Sequence, residues 1–457
     1  MTETKYEVGS VLTSTKCYCY TSQQYDVDRL RATIADSSVL DCIRPGDRVF
    51  IKPNWVQERH QTRDEWDQMI THPAVITAVI KLVVEKLDGN GSIILGDSPM
   101  SPADFDKITE LMPLGQWCKY CKQNGIDFSL VDMRNECWST SKDGVILESF
   151  QLPGDPAGKI TYNLEGCLSE FHGKKVTPGG YYGASYDTAE TNKAHDGVNN
   201  LYEMGASVML SDVFVNLPKL KTHKKAGMTC CLKNLVGVST NKNLLPHHTA
   251  GTPEAGGDQF ASSGASRKAE GAMTEKAKRL AKSSRIVAHL LVPMKWAVKR
   301  LMGDNRSVVR NGSWYGNDTI WRTVLDLNKI LFYGDPEGNI SDSVSRRYVA
   351  IVDGVVAGEG EGPLEPDRIE AGILICGNNP VATDAVASKL IGFDYEKIPS
   401  IARAFEIQEL PLIDNGPESL KCSIDGESFI GLGEVPAMLR LVPPSGWVGH
   451  IEQLNAR

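Results

Sequence analysis

The sequence predicts an α/β fold, a largely parallel sheet flanked by helices and interrupted by an inserted loop and helical segment. Two observations carry this. Short apolar runs alternate with amphipathic segments along the chain. Several of those runs also end, on their C-terminal side, in residues able to bind or react, as strands of open α/β sheets do where they face a crevice. RVFI (48–51) reads as a strand and ends in Lys52-Pro53-Asn54, and HPAVITAVIKLVVEKL (72–87) has helical spacing. SIILGDSP (92–99) is a strand running into a turn, IDFSLVDM (126–133) a further strand, and SVMLSDVFVNLPK (207–219) is strand-like again. YVAIVDG (348–354) and AGILICGNNP (371–380) are the last two clear strands, with VATDAVASKLIGF (381–393) as the helix behind them.

At 457 residues the chain can form two or three packed domains, or one large domain with insertions. The reading divides it into an α/β region over 1–248 with a Lys-rich binding loop, a mobile insertion and basic amphipathic helix over 249–310, and a C-terminal α/β region over 311–457 that completes the site. Hydrophobic residues make up 41% and charged residues 23%, the composition of a soluble globular protein. A net charge of -8 argues against nucleic acid as a partner. The opening residues, MTETKYEVGS, contain no apolar run, and no segment reaches transmembrane length, so a cytoplasmic location is expected. The eleven scattered cysteines then read as reduced thiols.

The middle of the chain changes character. Residues 249–284 are rich in Gly, Ala and Ser, and between Gly264 and Arg300 ten Lys/Arg face two Glu. The segment over 286–302 is amphipathic and basic, and 264–302 can make a peripheral contact with an anionic membrane surface. Covering a groove of the core is the plainer reading, because Pro293 interrupts the helix.

The densest chemistry lies in VFVNLPKLKTHKKAGMTCCLKNLVGV (213–238), where Lys219, Lys221, Lys224, Lys225 and Lys233 accompany His223, Asn216 and Asn234. Lysines with interleaved amides are donors for phosphate, carboxylate or another oxyanion, and Gly227 and Gly237 would let backbone N–H groups approach it. Lys52, Asn54, Asp97 and Ser98 stand at the ends of neighbouring strands and join the expected substrate site. A solvated basic loop accounts for Lys224 and Lys225. It accounts poorly for the three polar residues mixed among the cations. There is no GxxxxGK[ST] loop and no GxGxxG after the first strand, so neither common nucleotide fold is indicated.

Carboxylates gather late. Asp353, Glu359 and Glu361 sit in the glycine-rich IVDGVVAGEGEGP (351–363), which reads as a turn, and Asp384 follows. Asp353, Glu361 and Asp384 are the candidate ligands for Mg²⁺ or another divalent cation. Asp353 and Glu361, with His223, are the candidate acid/base groups. The lone Cys118-Lys-Tyr-Cys121 and adjacent Cys230-Cys231 have poor spacing for a zinc or iron–sulfur site. In GSWYGNDTIWR (312–322), Asp318 is expected to cap a helix, Trp314 and Tyr315 could stack a sugar or base, and Trp321 reads as core.

IKPN (51–54), His72-Pro73, GDSP (96–99), NLPKLKTH (216–223), LKNLVG (232–237), IVDG (351–354), GEGP (360–363) and PVATDAV (380–386) together resemble the domain of unknown function 362 family over about residues 45–395. The resemblance implies a shared site and no common reaction. Some members carry ferredoxin-like cysteine runs, but this chain has no CxxCxxCxxxC, so an iron–sulfur cluster is not expected. The GSWYGNDTIWR stretch resembles a subset associated with cell-surface polysaccharide functions.

The expectation is an enzyme acting on a phosphorylated or otherwise anionic small molecule, in cell-surface polysaccharide or secondary metabolism. Lys52, Lys219, Lys221 and Lys233 would bind the anion, and Asn54, Asn216 and Asn234 would orient it. Two alternatives stay open at this point: an iron–sulfur or other metal or redox protein, and a non-catalytic binder of anionic glycans or membrane headgroups.

Overall fold

The computed structural model describes residues 10–13, 15–140, 146–184, 187–261 and 311–453. The basic helix expected over 286–302 therefore lies outside the described residues, as does the rest of 262–310. Its core is one mixed, mostly parallel sheet of eleven strands. In chain order these are β1 (Cys17–Tyr20), β2 (Arg48–Pro53), β3 (Ser92–Asp97), β4 (Asp127–Asp132), β5 (Val213–Leu217), β6 (Lys219–His223), β7 (Gly227–Thr229), β8 (Arg347–Glu361), β9 (Glu365–Gly377), β10 (Lys421–Ile424) and β11 (Glu427–Ile430). Across the sheet the order is β11-β10-β1-β9-β8-β5-β2-β3-β4, with β6 beside β8 and β7 beside β6. Strands β8, β5, β2, β3 and β4 are parallel to one another, and β9 turns back antiparallel on β8. Strands from both ends of the sequence thus share one sheet.

Alternation along the strands separates two cores. Val49, Ile51, Val213, Val215, Val349 and Ile351 face α1 (Val27–Asp36), α2 (Pro73–Leu87) and α3 (Leu114–Gln123). Phe50, Phe214, Tyr348, Ala350 and Val352 face the opposite side, packed with α4 (Cys231–Asn234), α5 (Ile320–Tyr333) and α6 (Pro380–Leu390). Helix α2 begins where expected because His72 caps it and Pro73 supplies a fixed φ at its first turn. Among the described residues, no helix is long and apolar enough to cross a membrane.

Four local expectations change. The stretch over 207–219 is not one strand: Ala206–Met209 is helical and only Val213–Leu217 is extended before Pro218. The Lys-rich loop is a buried β-hairpin, β6–β7, since Lys219 to His223 continue along β8 once Pro218 has ended β5. The acidic, glycine-rich turn is the distal half of β8. A Cβ on Gly354 or Gly358 would lie within about 3 Å of Ile373 O or Gln68 O, so glycine allows the strand to be covered on both sides. Finally, Asp318 does not cap α5: the N-cap residue is Thr319, Asn317 Oδ1 accepts from Thr319 N and Ile320 N, and Asp318 pairs with Lys174 and Arg322. Trp314 and Trp321 are buried, and exposed Tyr315 stacks on His450 at 4.0 Å.

Candidate functional site

The parallel register sets the site. Lys52 lies opposite Asn216 between β2 and β5, and Lys219 opposite Asp353 between β6 and β8. The chain then returns through β7 and α4, bringing Asn234 and Gly237 back over the C-terminal ends of β2 and β3. There the side chains form a continuous polar layer. Lys52 pairs with Asp97 at 2.8 Å, both buried, and its Nζ also donates to Pro53 O. Asn54 Nδ2 donates to Asn234 Oδ1 at 2.8 Å, Asn234 Nδ2 to Asn216 Oδ1 at 2.7 Å, and Asn216 Nδ2 to Tyr348 Oη and Cys231 O. Asn54 Oδ1 and Ser98 Oγ are buried in this layer without a hydrogen-bond partner among the described residues. Buried polar atoms are usually satisfied, so these two are available to something else.

Gly237 holds a position that no other residue could take undisturbed. A Cβ there would meet Asp97 Oδ1 at 2.3 Å and Lys52 Nζ at 2.6 Å. Its carbonyl accepts from Ser98 N at 2.8 Å, tying the LKNLVG segment to the end of β3. Burial pushes the Lys52 ammonium down and the Asp97 carboxyl up, against the attraction between them.

Lys219 is committed elsewhere. Its ammonium pairs with Asp353 at 2.9 Å, both side chains fully buried, and donates to Tyr25 Oη at 2.8 Å. Tyr25 donates to Asp353 Oδ1 at 3.0 Å, and His72 N donates to Asp353 Oδ2 at 2.9 Å. The His72 ring stacks on Tyr25 at 3.5 Å, and burial holds its imidazole down to about 4, so it is neutral. Asp353 therefore has its oxygens filled by a lysine, a tyrosine and a backbone amide.

Beyond this pair the charges are no longer balanced. Lys221 is fully buried, donates to Met69 O, and is pushed well down by burial and by Lys219, Lys233 and Lys52. Lys242, buried, donates to Val236 O and is lowered to about 7 by burial, against the pull of Asp97. The ammonium of part-buried Lys233 has no hydrogen bond or ion pair among the described residues, and burial followed by the charge of Lys52 brings it to about 8. Its own charge acts on Lys221, His223, Lys242 and His247. His223 Nδ1 accepts from Lys225 N and Ala226 N, and its imidazole is held well down by burial and then by Lys233. A neutral ring whose Nδ1 accepts carries its proton on Nε2, which makes His223 a donor at that nitrogen. His247 is likewise held down, with Nδ1 beside Leu245 O. Among the described residues, Asp97 is a carboxylate whose charge is set against both Lys221 and Lys242, and it is already paired with Lys52.

The structure does not bring Asp353, Glu361 and Asp384 together. Asp353 and Glu361 are eight residues apart on β8, roughly 25 Å along an extended strand. Glu361 is part-exposed, accepting from Ser445 N at 2.7 Å and pairing with Lys224 at 3.3 Å. Asp384 is buried against the start of α4, where it accepts from Cys231 N and Leu232 N at 2.7 and 3.0 Å. Burial raises its carboxyl to about 6. Among the described residues, the group of three or more potential ligands within 4.8 Å is Cys230, Cys231 and Asp384. Both of those thiols are held high by burial. All eleven cysteines are free thiols.

Lys242 and His247 were not singled out by the sequence reading. The signal available was the recurrence of cations and histidines in NKNLLPHH (241–248), directly after LKNLVG. Tyr25 and the Met69 carbonyl had no local signal at all. A separate cleft of about 410 Å³ is lined by Glu170, Asp318, Arg322, Lys329 and Arg403, among others. Its charges cancel in pairs, Lys329 with Glu170 at 2.7 Å and Arg322 with Asp318 at 3.0 Å. Arg403 pairs with Glu406 in the same way, and the charge left over is the carboxylate of Glu409, opposite in sign to the lysine cluster.

Comparison with known proteins bears on the same segments. A family model described as Domain of unknown function (DUF362) matches residues 49–158 and 164–389. A thylakoid-associated protein of Synechocystis sp. is 23% identical over 388 residues, covering 83% of this chain and 76% of the relative. A crystal structure of a Thermotoga maritima protein aligns with a TM-score of 0.32 and 8% identity, covering 75% of this chain and 54% of that one.

Proposed function

The chain belongs to the domain of unknown function 362 family, and from that premise we propose that it is an enzyme that binds a phosphorylated or otherwise anionic small molecule on Lys221, Lys233, Lys242 and His223. One observation carries the reading: the Lys233 ammonium is unpartnered among the described residues and central to a set of buried or part-buried basic groups, and Asp97, the carboxylate acting on Lys221 and Lys242, is already paired with Lys52. Burying like charges is unfavourable, and an incoming anion relieves each of them at once. Asn54 and Ser98, with buried oxygens lacking partners, stand in the adjoining polar layer and are suited to orient the ligand. Lys52 and Lys219, each held by a carboxylate, support the layer without contacting the ligand directly. Asp353, Glu361 and Asp384 have no common coordination sphere, so this reading assigns them no shared cation.

The location proposed with it is cytoplasmic, with contact to a membrane surface through 264–302. The name of the thylakoid-associated relative supports a place near membranes. The test of the binding reading is a thermal-shift titration of the purified chain with sulfate, phosphate, pyrophosphate, nucleotides and sugar phosphates. Stability should rise with at least one of them, following the ratio of ligand concentration to its dissociation constant. A chain indifferent to every anion would remove the proposal.

A further inference from the structure

We infer that Lys233 is the nucleophile of this site, an amine that forms an imine with an aldehyde or ketone bearing a phosphate or carboxylate group. This rests on the anion-binding reading and adds a substrate class and a reaction type to it.

The geometry separates Lys233 from the lysines around it. Lys52 and Lys219 are locked in ion pairs, Lys221 and Lys242 donate to backbone carbonyls, and Lys224 reaches Glu361. Lys233 alone of these six has neither a hydrogen bond nor an ion pair among the described residues, and it is part-exposed where Lys52, Lys219 and Lys221 are fully enclosed. Its place on the single turn of α4 is fixed on both sides. Asp384 accepts the first two amides of that turn, and the Asn234 side chain is bonded to Asn54 and Asn216. A lysine placed beside other cations in a desolvated site is the arrangement that makes an amine nucleophilic at neutral pH. With the group brought to about 8, roughly one amine in ten is neutral at pH 7, against about one in three thousand for an ordinary lysine.

The step balances without an external oxidant or reductant. The Nζ lone pair adds to the carbonyl carbon, and one of the two amine protons passes to the carbonyl oxygen to give a carbinolamine. The C–O bond then breaks, and water leaves with that proton and the remaining amine proton as the C=N bond forms. The product, once protonated on nitrogen, has the same charge as the ammonium it replaces. The substrate's anionic group offsets that charge in a region already crowded with cations.

The experiment uses the full chain with pyridoxal 5′-phosphate as an anionic aldehyde, borohydride to reduce any imine, and mass spectrometry of the digested protein. The expected result is a reduced adduct on Lys233 at least tenfold above that on any other lysine. Pyridoxal, which lacks the phosphate, should label at least tenfold less, and sulfate should protect. Lys233→Arg keeps the cation and should abolish this adduct while still responding to sulfate in a thermal shift. If sulfate stabilises the wild type but the adduct is absent or spread over surface lysines, the nucleophile is refuted and the anion site stands. If neither sulfate nor any other anion stabilises it and no adduct forms, both readings fall.

Discussion

Lys219 and Asp353 face each other in register across two parallel strands, and their side chains close a 2.9 Å ion pair with no solvent exposure. The pair joins the hairpin β6–β7 to β8 and so fixes the strand from which Lys221 and His223 project. Tyr25 completes it from the N-terminal end of the chain, hydrogen bonded to both partners. Removing one partner strands the other charge in the interior. Lys219→Met or Asp353→Asn should therefore cost about 3–5 kcal/mol in chemical denaturation. The double substitution should recover much of that loss, and additive losses in the cycle would show that the pair is not a unit.

Lys233 should behave in the opposite way. Lys233→Ala removes a cation that has no partner, so the melting temperature without ligand should stay level or rise. The stabilisation given by a bound anion should shrink by roughly one to two orders of magnitude in affinity, the contribution of a charge-assisted hydrogen bond of about 1.5–3 kcal/mol. A variant that loses stability and keeps its anion response would mark Lys233 as structural.

The pH dependence follows from two lysines. Lys242 and Lys233 titrate at about 7 and about 8 in the folded chain, below the ordinary lysine value of 10.5. Both are charged in the unfolded chain up to about 10, so the unfolded state binds more protons between these limits. Stability without ligand should rise as pH climbs through that window. Binding should move the other way, because the anion needs the protonated form. Sulfate, which does not itself titrate there, should bind several-fold more weakly at pH 9 than at pH 6.5. Isothermal titration calorimetry at the two values would read this directly.

Gly237→Ala tests the close approach over the strand ends. The added methyl would occupy the place of Asp97 Oδ1 and Lys52 Nζ, at 2.3 and 2.6 Å. Either the pair separates or α4 lifts away. The first frees the charge of Asp97 beside the lysine cluster and the second displaces Lys233, so anion affinity should fall at least tenfold even if the chain remains folded by circular dichroism.

Asp384 is predicted to be a structural acceptor for the first amides of α4. Asp384→Ala leaves the buried Cys231 and Leu232 N–H groups unsatisfied, at about 1–3 kcal/mol each. Asp384→Asn keeps an acceptor and should cost less. Since burial raises the carboxyl from 3.8 to about 6, the folded chain holds a proton that the unfolded one releases. That contribution to stability is present below about pH 4 and is lost as pH rises through 6. Flattening of the wild-type stability profile over that interval in Asp384→Asn is the check.

The sequence by itself determined the alternation of strands and helices, the parallel half of the sheet, and the placing of Lys52 and Asn216 side by side near the C-terminal ends of their strands. These follow from local periodicity and from what must lie beyond a buried apolar run, and both are properties of a few consecutive residues. The strands Cys17–Tyr20 and Lys421–Ile424 escaped it because their apolar positions acquire meaning only when they pair with each other across four hundred residues. The lysines read alike in sequence and turned out unlike. Lys219 met a carboxylate from β8, Lys221 a carbonyl from residue 69, and Lys233 nothing among the described residues. In the same way Asp353, Glu361 and Asp384 read as one cluster and were sent to three different tasks. Charge is a property of the residue, but desolvation and the nearest opposite charge belong to the assembled fold. Those two quantities decide whether a lysine holds the structure together or remains available for chemistry.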